Sequence, residues 1–319
     1  MRPFTRIRRL FSARLFATGL CGLFFLTANA QFEPMFTQYM YNETFINPAY
    51  AGSHENIATT VLYRNQWAGM DGAPTTQTFN IHGATNSKKV GLGLSALNEN
   101  IGVTHQFAAY ADFAYRIVMP NSSFAFGLQG GFVNDEEKLT DVHTVVTGDN
   151  QFSTNVTKNF LPNFGFGMYY HTERFYAGLS IPRLLENHID PTNPGKLSRN
   201  FSNMEWWHYY LATGCVVDLS AEVKFKPSIM IKAVQHAPVE FDADANFLIR
   251  DLLWIGCAYR TGDAVAGLIG LQLSKQLRIG YSYDYTLTDL QKYNSGSHEF
   301  TLSYDFGSAK NKIISTRYF

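Results

Sequence analysis

Six charged side chains on two neighbouring strand-like stretches could line a polar channel. They fall at even positions, three of each sign: Lys224, Lys226, Lys232, Glu240, Asp242 and Asp244. Because successive side chains of a strand point to opposite faces, all six should project to one face. A turn centred on His236 would set Lys232 opposite Glu240, a cross-strand ion pair of about 0.2–1 kcal/mol. The balanced signs favour a neutralised interior that packs on itself or on a plug over a charged pore constriction.

The sequence contains few residues in patterns typical of catalysis, metal binding or cofactor binding. The nine histidines do not pair at metal-ligand spacing, and no Gly-x-Ser-x-Gly elbow, phosphate loop or cysteine cluster is present. Gly91-x-Gly93 and Gly165-x-Gly167 more simply give side chains room inside a barrel than hold a cofactor, since no helix signature follows them. We therefore expect no catalytic residue, cofactor or metal, while a barrel hydrolase built from a distant serine and histidine remains open.

An export leader is predicted over residues 1–30. Five arginines flank the start of an apolar run at 15–26, and Ala28-Asn29-Ala30 suits a signal peptidase before Gln31. The run is shorter than the ~20 residues that a membrane-spanning helix needs. Cleavage would lower the basic residues from 26 to 21, against 26 acidic, which disfavours nucleic-acid binding.

Composition limits the remaining classes. The sequence is 15% aromatic and only 16% charged, below the ~25% usual for soluble domains, which excludes disorder and a solvated coiled coil. Cys215 and Cys257 lie within strand-like apolar stretches, and we expect both to be free thiols.

Apolar and polar side chains alternate with period two along the rest of the chain, the pattern of strands with two different faces. Fourteen strands are predicted, most of them near the ~9–11 residues that a tilted strand needs to cross a bilayer. Their ranges are 56–66, 75–83, 89–98, 105–118, 122–133, 161–170, 173–181, 206–219, 222–234, 238–249, 251–261, 264–274, 276–287 and 297–306.

The connections test this assignment independently. The connections between predicted strands can be numbered in chain order. Every long connection, including 134–160 and 182–205, then has an odd number, and all connections with even numbers are short. Outer-membrane barrels have long outer loops and short periplasmic turns. The fold class predicted is therefore all-β, a transmembrane antiparallel β-barrel over 56–306, with a periplasmic segment or plug at 31–55 and a periplasmic tail at 307–319.

A soluble two-sheet sandwich would also alternate. The densely aromatic outward face, as at Tyr283 and Phe300, suits membrane girdles better, and the opposite face is polar rather than packed. Pro227 lies inside a predicted strand, where it cannot donate to the ladder, so a local bulge is expected there.

Several stretches resemble the PorP/SprF family of type IX secretion system membrane proteins. In chain order they are Gln38-Tyr39-Met40-Tyr41-Asn42, Ile46-Asn47-Pro48-Ala49-Tyr50-Ala51-Gly52, Tyr63-Arg64-Asn65-Gln66-Trp67, Asp71–Gln77, Val90–Arg116 and Arg317-Tyr318-Phe319. Asn47-Pro48 should also fix an extended turn that leads the N-terminal segment into the barrel, capping or plugging its periplasmic mouth. The alternative is a packing motif without a partner.

The resemblance implies a noncatalytic component of an outer-membrane machine that exports large proteins and, in gliding cells, delivers adhesins. It implies contact with translocon and periplasmic ring proteins, with the C-terminal domains of secreted substrates, and with outer-membrane lipid. The outer loops are candidates for substrate contact. The candidate partner-binding residues are Tyr39, Asn47, Pro48, Tyr50, Arg64, Trp67, Arg317, Tyr318 and Phe319. The alternative function is a channel or transporter for small molecules.

Overall fold

A computed structural model describes residues 34–54, 56–142, 154–189, 197–200, 207–235 and 237–307. The predicted leader lies outside these residues, as do His236 and nearly all of the predicted tail, including Arg317, Tyr318 and Phe319. No helix in the described part of the chain is both long enough and apolar enough to cross a membrane.

Seventeen strands form in the described residues, because alternating sequences pair into antiparallel ladders. They are β1 (Ala58–Asn65), β2 (Thr75–Ala84), β3 (Val90–Ile101), β4 (Thr104–Met119), β5 (Ser122–Glu137), β6 (Val156–Thr172), β7 (Phe175–Ile181), β8 (Glu186–Ile189), β9 (Leu197–Asn200), β10 (Tyr209–Cys215), β11 (Val217–Asp218), β12 (Val223–Ala233), β13 (Glu240–Ile249), β14 (Leu253–Arg260), β15 (Ala264–Gln272), β16 (Leu277–Thr286) and β17 (Ser297–Asp305).

All strands except the hairpin β8–β9 join one closed sheet. From β1 to β7 and from β12 to β17 each strand pairs with its sequence neighbour, and β7 pairs with β10 across the β8–β9 hairpin. The sheet closes because β1 pairs with β17, from Ala58 opposite Asp305 to Asn65 opposite His298. Strands β10 and β11 both pair with β12 and take the place of the single strand predicted at 206–219. The barrel therefore has 14 antiparallel strands, which confirms the predicted fold class.

The prediction of a bulge at Pro227 is wrong. Strand β12 pairs with β13 without a register shift, and Pro227 lies opposite Ala245. On the other side, Gly214 faces Ser228 and Val217 faces Phe225, which is the same register interrupted between them. Because proline has no N–H, the ladder loses bonds on that side, and this separates β10 from β11. The Val216 N–H instead donates to the Arg174 carbonyl, at 2.8 Å.

Two hairpins extend further than the sequence predicts. Strands β3 and β4 meet at a tight turn at 102–103, and β5 and β6 shorten the predicted loop 134–160 to 138–155. A register shift between Val133 and Asp135 marks a bulge, where the Phe160 N–H donates to Asn134 Oδ1 at 2.6 Å. Bulges let a strand continue past an irregular position, which accounts for the extra length of β5 and β6.

The two faces of the sheet differ as predicted. Along β4, Phe107, Phe113 and Tyr115 are exposed on the outer face, whereas Tyr110 and Asp112 are buried inside. An outer surface this apolar needs a lipid environment. The described thiols Cys215 and Cys257 are free. We call the end of the barrel with the short connections (such as 120–121 and 173–174) the turn end, and the opposite end the loop end.

Candidate functional site

Residues 34–54, here called the lumen segment, fill the interior of the barrel. Three short turns shape the segment: a 3-10 turn at Tyr39–Tyr41, the helix α1 at Glu43–Ile46, and a 3-10 turn at Pro48–Tyr50. Asn47 has the extended backbone expected before a proline, with φ −137° and ψ 109°, and its Oδ1 accepts the Ala49 N–H at 3.0 Å. Asn47-Pro48 thus forms the predicted extended turn.

The lumen segment contacts the wall on opposite sides. Asn80 of β2 donates through Nδ2 to Asn42 Oδ1, at 2.8 Å. Ser180 of β7 donates through Oγ to the Ile46 carbonyl, also at 2.8 Å. Four strands separate β2 from β7 in the ladder. A segment that contacts both strands must lie inside the barrel rather than along one of its rims.

A buried ion cluster joins β1, β16 and β17 at the loop end. Arg64 Nη2 lies 2.7 Å from Asp284 Oδ2, and its Nη1 lies 3.0 Å from Glu299 Oε2. The three side chains are no more than 2% exposed. Charges so deeply buried persist only when each is paired and hydrogen-bonded, so every group in this cluster depends on the others.

The same cluster holds the N-terminal half of the lumen segment. The Thr37 N–H donates to Glu299 Oε2 at 2.9 Å, and the Gln38 N–H donates to Oε1 at 2.7 Å. The Thr37 hydroxyl donates to Asp284 Oδ2 at 2.7 Å and accepts from Arg64 Nη1 at 3.0 Å. Hydrogen bonds to charged groups are the strong ones, so Thr37 and Gln38 form an anchor.

The hairpin charges continue this cluster around the wall. Lys232 lies opposite Glu240 in the ladder, as predicted, and its Nζ is 2.6 Å from Glu240 Oε1 and 3.2 Å from Asp242 Oδ2. Arg260 Nε lies 3.0 Å from Asp242 Oδ1. Its Nη2 also donates to the Phe36 carbonyl at 3.4 Å, which ties the hairpin to the lumen segment.

The other three hairpin charges lie elsewhere. Lys226 and Asp244 are buried in the lumen, and Lys226 Nζ lies 5.9 Å from the ring centroid of Trp254. Lys224 is half-buried at the turn end, where it bonds to Asp251 Oδ1 at 2.7 Å. The six charges predicted to share one lining are thus distributed along the height of the barrel.

A second arginine holds the other end of the lumen segment. Arg116 of β4 donates to the carbonyls of Ala51, at 2.8 Å, and Gly52. The Gly52 N–H donates to His82 Nδ1 at 3.1 Å. These contacts lie at the turn end, and together with the loop-end anchor they hold the segment at both of its ends.

Glycines on the inner wall let the lumen segment approach the strand backbones. A Cβ at Gly127 would overlap the backbone of Ala49, one at Gly167 would overlap Asn47 Oδ1, and one at Gly91 would overlap the Ala51 carbonyl. Gly91 and Gly167 belong to the two Gly-x-Gly pairs of the sequence. These glycines leave room for the stretch from Asn47 to Ala51. This agrees with the interpretation that they give side chains room inside the barrel.

The candidate partner-binding residues that the structure describes make contacts within the chain. Tyr39, Asn47, Pro48, Tyr50 and Arg64 are buried in the lumen. Trp67 is half-buried in the connection after β1, and its backbone N–H donates to Ser297 Oγ at 3.1 Å. A partner could reach the five lumen residues only after the lumen segment moves.

The roles of four further residues were not predicted from the sequence: Arg116, Arg260, Asp284 and Glu299. The available signal was the alternation of faces, because Asp284 and Glu299 fall on the polar face of two strands whose other face carries aromatic residues. Their convergence on Arg64 needed the register between the first and last strands, which no local pattern encodes. Among the described residues, no group of histidine, cysteine, aspartate and glutamate side chains could hold a metal ion. The arrangement can instead anchor a peptide.

Comparison with solved structures returns bacterial outer-membrane proteins. Omp33 of Acinetobacter baumannii is 6% identical, with 79% of this chain and 98% of that one covered and a TM-score of 0.47. A FadL homologue of Pseudomonas aeruginosa is 12% identical, with coverages of 83% and 94% and a TM-score of 0.46. Comparison with curated proteins gives no match.

The family comparison covers most of the chain. A sequence profile described as type IX secretion system membrane protein PorP/SprF matches residues 28–304. This range includes the lumen segment and nearly all of the barrel, so the family assignment applies to the filled barrel as a unit. Fold and family together point to the outer membrane. The chain belongs to the PorP/SprF family of type IX secretion system membrane proteins.

Proposed function

We propose that this protein is a noncatalytic outer-membrane component of the type IX secretion system, with a lumen closed by its own N-terminal segment. It would help to export specific proteins or attach them to the cell surface, gliding adhesins among them. The observation that carries the proposal is the filled lumen, in which Thr37, Gln38, Ala51 and Gly52 are anchored to buried charges of the wall. A barrel so filled suits a docking and support role better than conduction.

Contacts with other proteins would then lie at the two ends of the barrel. The outer loops are the proposed contact for the C-terminal domains of secreted substrates. The tail residues Arg317, Tyr318 and Phe319 are the proposed contact for periplasmic ring proteins. Trp67, at the start of a loop-end connection, is the described candidate residue most open to a partner.

A conductance measurement distinguishes the proposed secretion role from the second candidate function, a channel for small molecules. The purified full chain in a planar bilayer should show almost no current steps. A variant without residues 34–54 should conduct, because a barrel of this strand number without a filled interior holds water. Frequent steps from the intact chain would favour the channel.

Deletion of the gene tests the secretion role directly. We expect loss of a few surface proteins with unchanged uptake of small solutes, and secretion subunits should co-purify with the protein from detergent-solubilised outer membrane. Normal surface proteins in the deletion strain would contradict the proposal. Hydrolysis of lipid esters by the purified protein would instead indicate a barrel lipase.

A further inference from the structure

The lumen segment spans more than half of the height of the barrel. Thr37 is held at the level of Arg64, and Gly52 at the level of His82. Arg64 lies opposite Thr76 on β2, and His82 comes six residues later on the same strand. At ~3.3 Å per residue this separation is about 20 Å along the strand. Because strands of outer-membrane barrels tilt by ~35–45°, it corresponds to about 15 Å along the barrel axis, against an apolar band of ~25 Å.

The direction of the segment is fixed by its contacts. Pro34 and Phe36 line a small cavity with Pro182 and Arg183, the first residues of the long connection after β7. The start of the described chain therefore lies at the loop end. From there the segment descends to Gly52 at the turn end, and the chain enters β1.

Both ends of the segment are held by buried groups, which argues against a cap that covers only the turn end. At the loop end, Glu299 accepts the consecutive N–H groups of Thr37 and Gln38. A cap confined to the turn end would leave this carboxylate, which is fully buried, without those two donors. A buried acceptor that loses its donors is destabilised, and a charged acceptor is destabilised most.

We infer that the N-terminal end of the lumen segment opens on the cell exterior, so that Pro34 and Met35 belong to the outer mouth of the barrel. The inference rests on the outer-membrane location in the proposed function, because long loops of such barrels face outward and short turns face the periplasm. It makes the outer mouth a composite surface, built from the segment as well as from the loops. A secreted protein that meets the loops would meet the segment too.

Cysteine labelling on intact cells tests this orientation. The parent carries Cys215→Ser and Cys257→Ser, and single cysteines are introduced as Pro34→Cys, Met35→Cys, Tyr293→Cys or Glu222→Cys. Pro34 and Met35 are half-buried, Tyr293 is 70% exposed in the loop-end connection 287–296, and Glu222 is exposed in a turn-end connection. The probe is a maleimide too polar to cross the outer membrane, applied before and after permeabilisation.

We expect Pro34→Cys or Met35→Cys, together with Tyr293→Cys, to react on intact cells at least fivefold more than Glu222→Cys. Glu222→Cys should gain its labelling on permeabilisation. If both segment cysteines react only after permeabilisation, or only after denaturation, while Tyr293→Cys reacts on intact cells, the inference is overturned and the barrel orientation stands. If Tyr293→Cys and Glu222→Cys exchange behaviour, the barrel orientation itself is wrong.

Discussion

Arg64 is the central cation of the loop-end ion cluster. Its guanidinium bonds to two acids from different strands and to the hydroxyl of Thr37. Arg64 belongs to a stretch that resembles the family in sequence, but its ion-pair partners were not predicted. Buried in this way, it supports the wall and the segment together, so any partner contact through Arg64 would disturb both.

Replacement of Arg64 should be among the most costly single changes in the barrel. Arg64→Met leaves Glu299 buried without its cation and leaves Asp284 with Arg260 Nη1 at 3.8 Å. Breaking a buried pair costs about 3–5 kcal/mol. Arg174→Met is the matched control, because Arg174 pairs with Asp218 at 2.6 Å but is 65% exposed. The control should lose no more than about 1 kcal/mol. The measurement is the free energy of unfolding in urea after refolding into detergent, and equal losses would contradict the prediction.

Lys232 and Glu240 should be energetically coupled. A double-mutant cycle with Lys232→Met and Glu240→Gln should give a coupling of about 1–3 kcal/mol, since both side chains are buried and share one network. The same cycle on Arg250 and Glu222, an exposed pair at 3.1 Å, should give no more than about 0.5 kcal/mol. Additive effects at Lys232 and Glu240 would show that the pair contributes nothing of its own.

The strands were the most predictable elements. Period-two alternation located all fourteen, because lipid outside and polar groups inside impose the same choice at every second residue. It placed their ends less well, since β4, β5 and β6 have 16, 16 and 17 residues, more than the ~9–11 that a tilted strand needs to cross a bilayer. It also misjudged Pro227, because a missing donor can be absorbed by a gap in the ladder as well as by a bulge.

The lumen segment was less predictable than the strands. Its position could be anticipated from an aromatic content too high for a solvated tail and from the extended backbone that precedes Pro48. Its direction could not, because that depends on which strands provide the buried charges. The glycines that receive the segment were visible as Gly-x-Gly pairs, but their partners on the segment were not.

Gly127 offers a test of the fit between the lumen segment and the wall. Gly127→Ala puts a methyl group against the Ala49 backbone, an overpacking that costs about 1–3 kcal/mol. Gly267→Ala is the control, since a Cβ there meets nothing within 4 Å. Urea unfolding should show the loss at Gly127 alone. A stability at Gly127→Ala equal to that of the control would mean that the segment does not press on this strand.

At the scale of the whole molecule, the barrel is closed by its first and last strands. Val61 of β1 lies opposite Leu302 of β17, both on the outer face. Opposed Cα atoms in an antiparallel ladder are about 4.5–5.5 Å apart, within the range that a disulfide can bridge. A disulfide between β1 and β17 can therefore test whether the barrel is closed by these two strands.

A chain with Val61→Cys and Leu302→Cys, in the parent without Cys215 and Cys257, should cross-link on mild oxidation. The disulfide would close a loop of nearly the whole barrel, and gel mobility in denaturant with and without a reductant would report it. Val61→Cys with Ile269→Cys is the control, because Ile269 lies on β15, two strands further around the wall. Equal cross-linking of both pairs would indicate that the first and last strands do not adjoin.

The Arg64 cluster joins the two termini of the barrel, and this sets an order of events in assembly. Arg64 comes from β1, Glu299 from β17, and Thr37 from the residues before both. The acid is made 262 residues after the amide that it binds. While the ribosome or the export channel still holds the distal part of the polypeptide, the leading part lacks both carboxylates of that site. Docking of the leading part and completion of the cylinder should therefore occur as one late, concerted step.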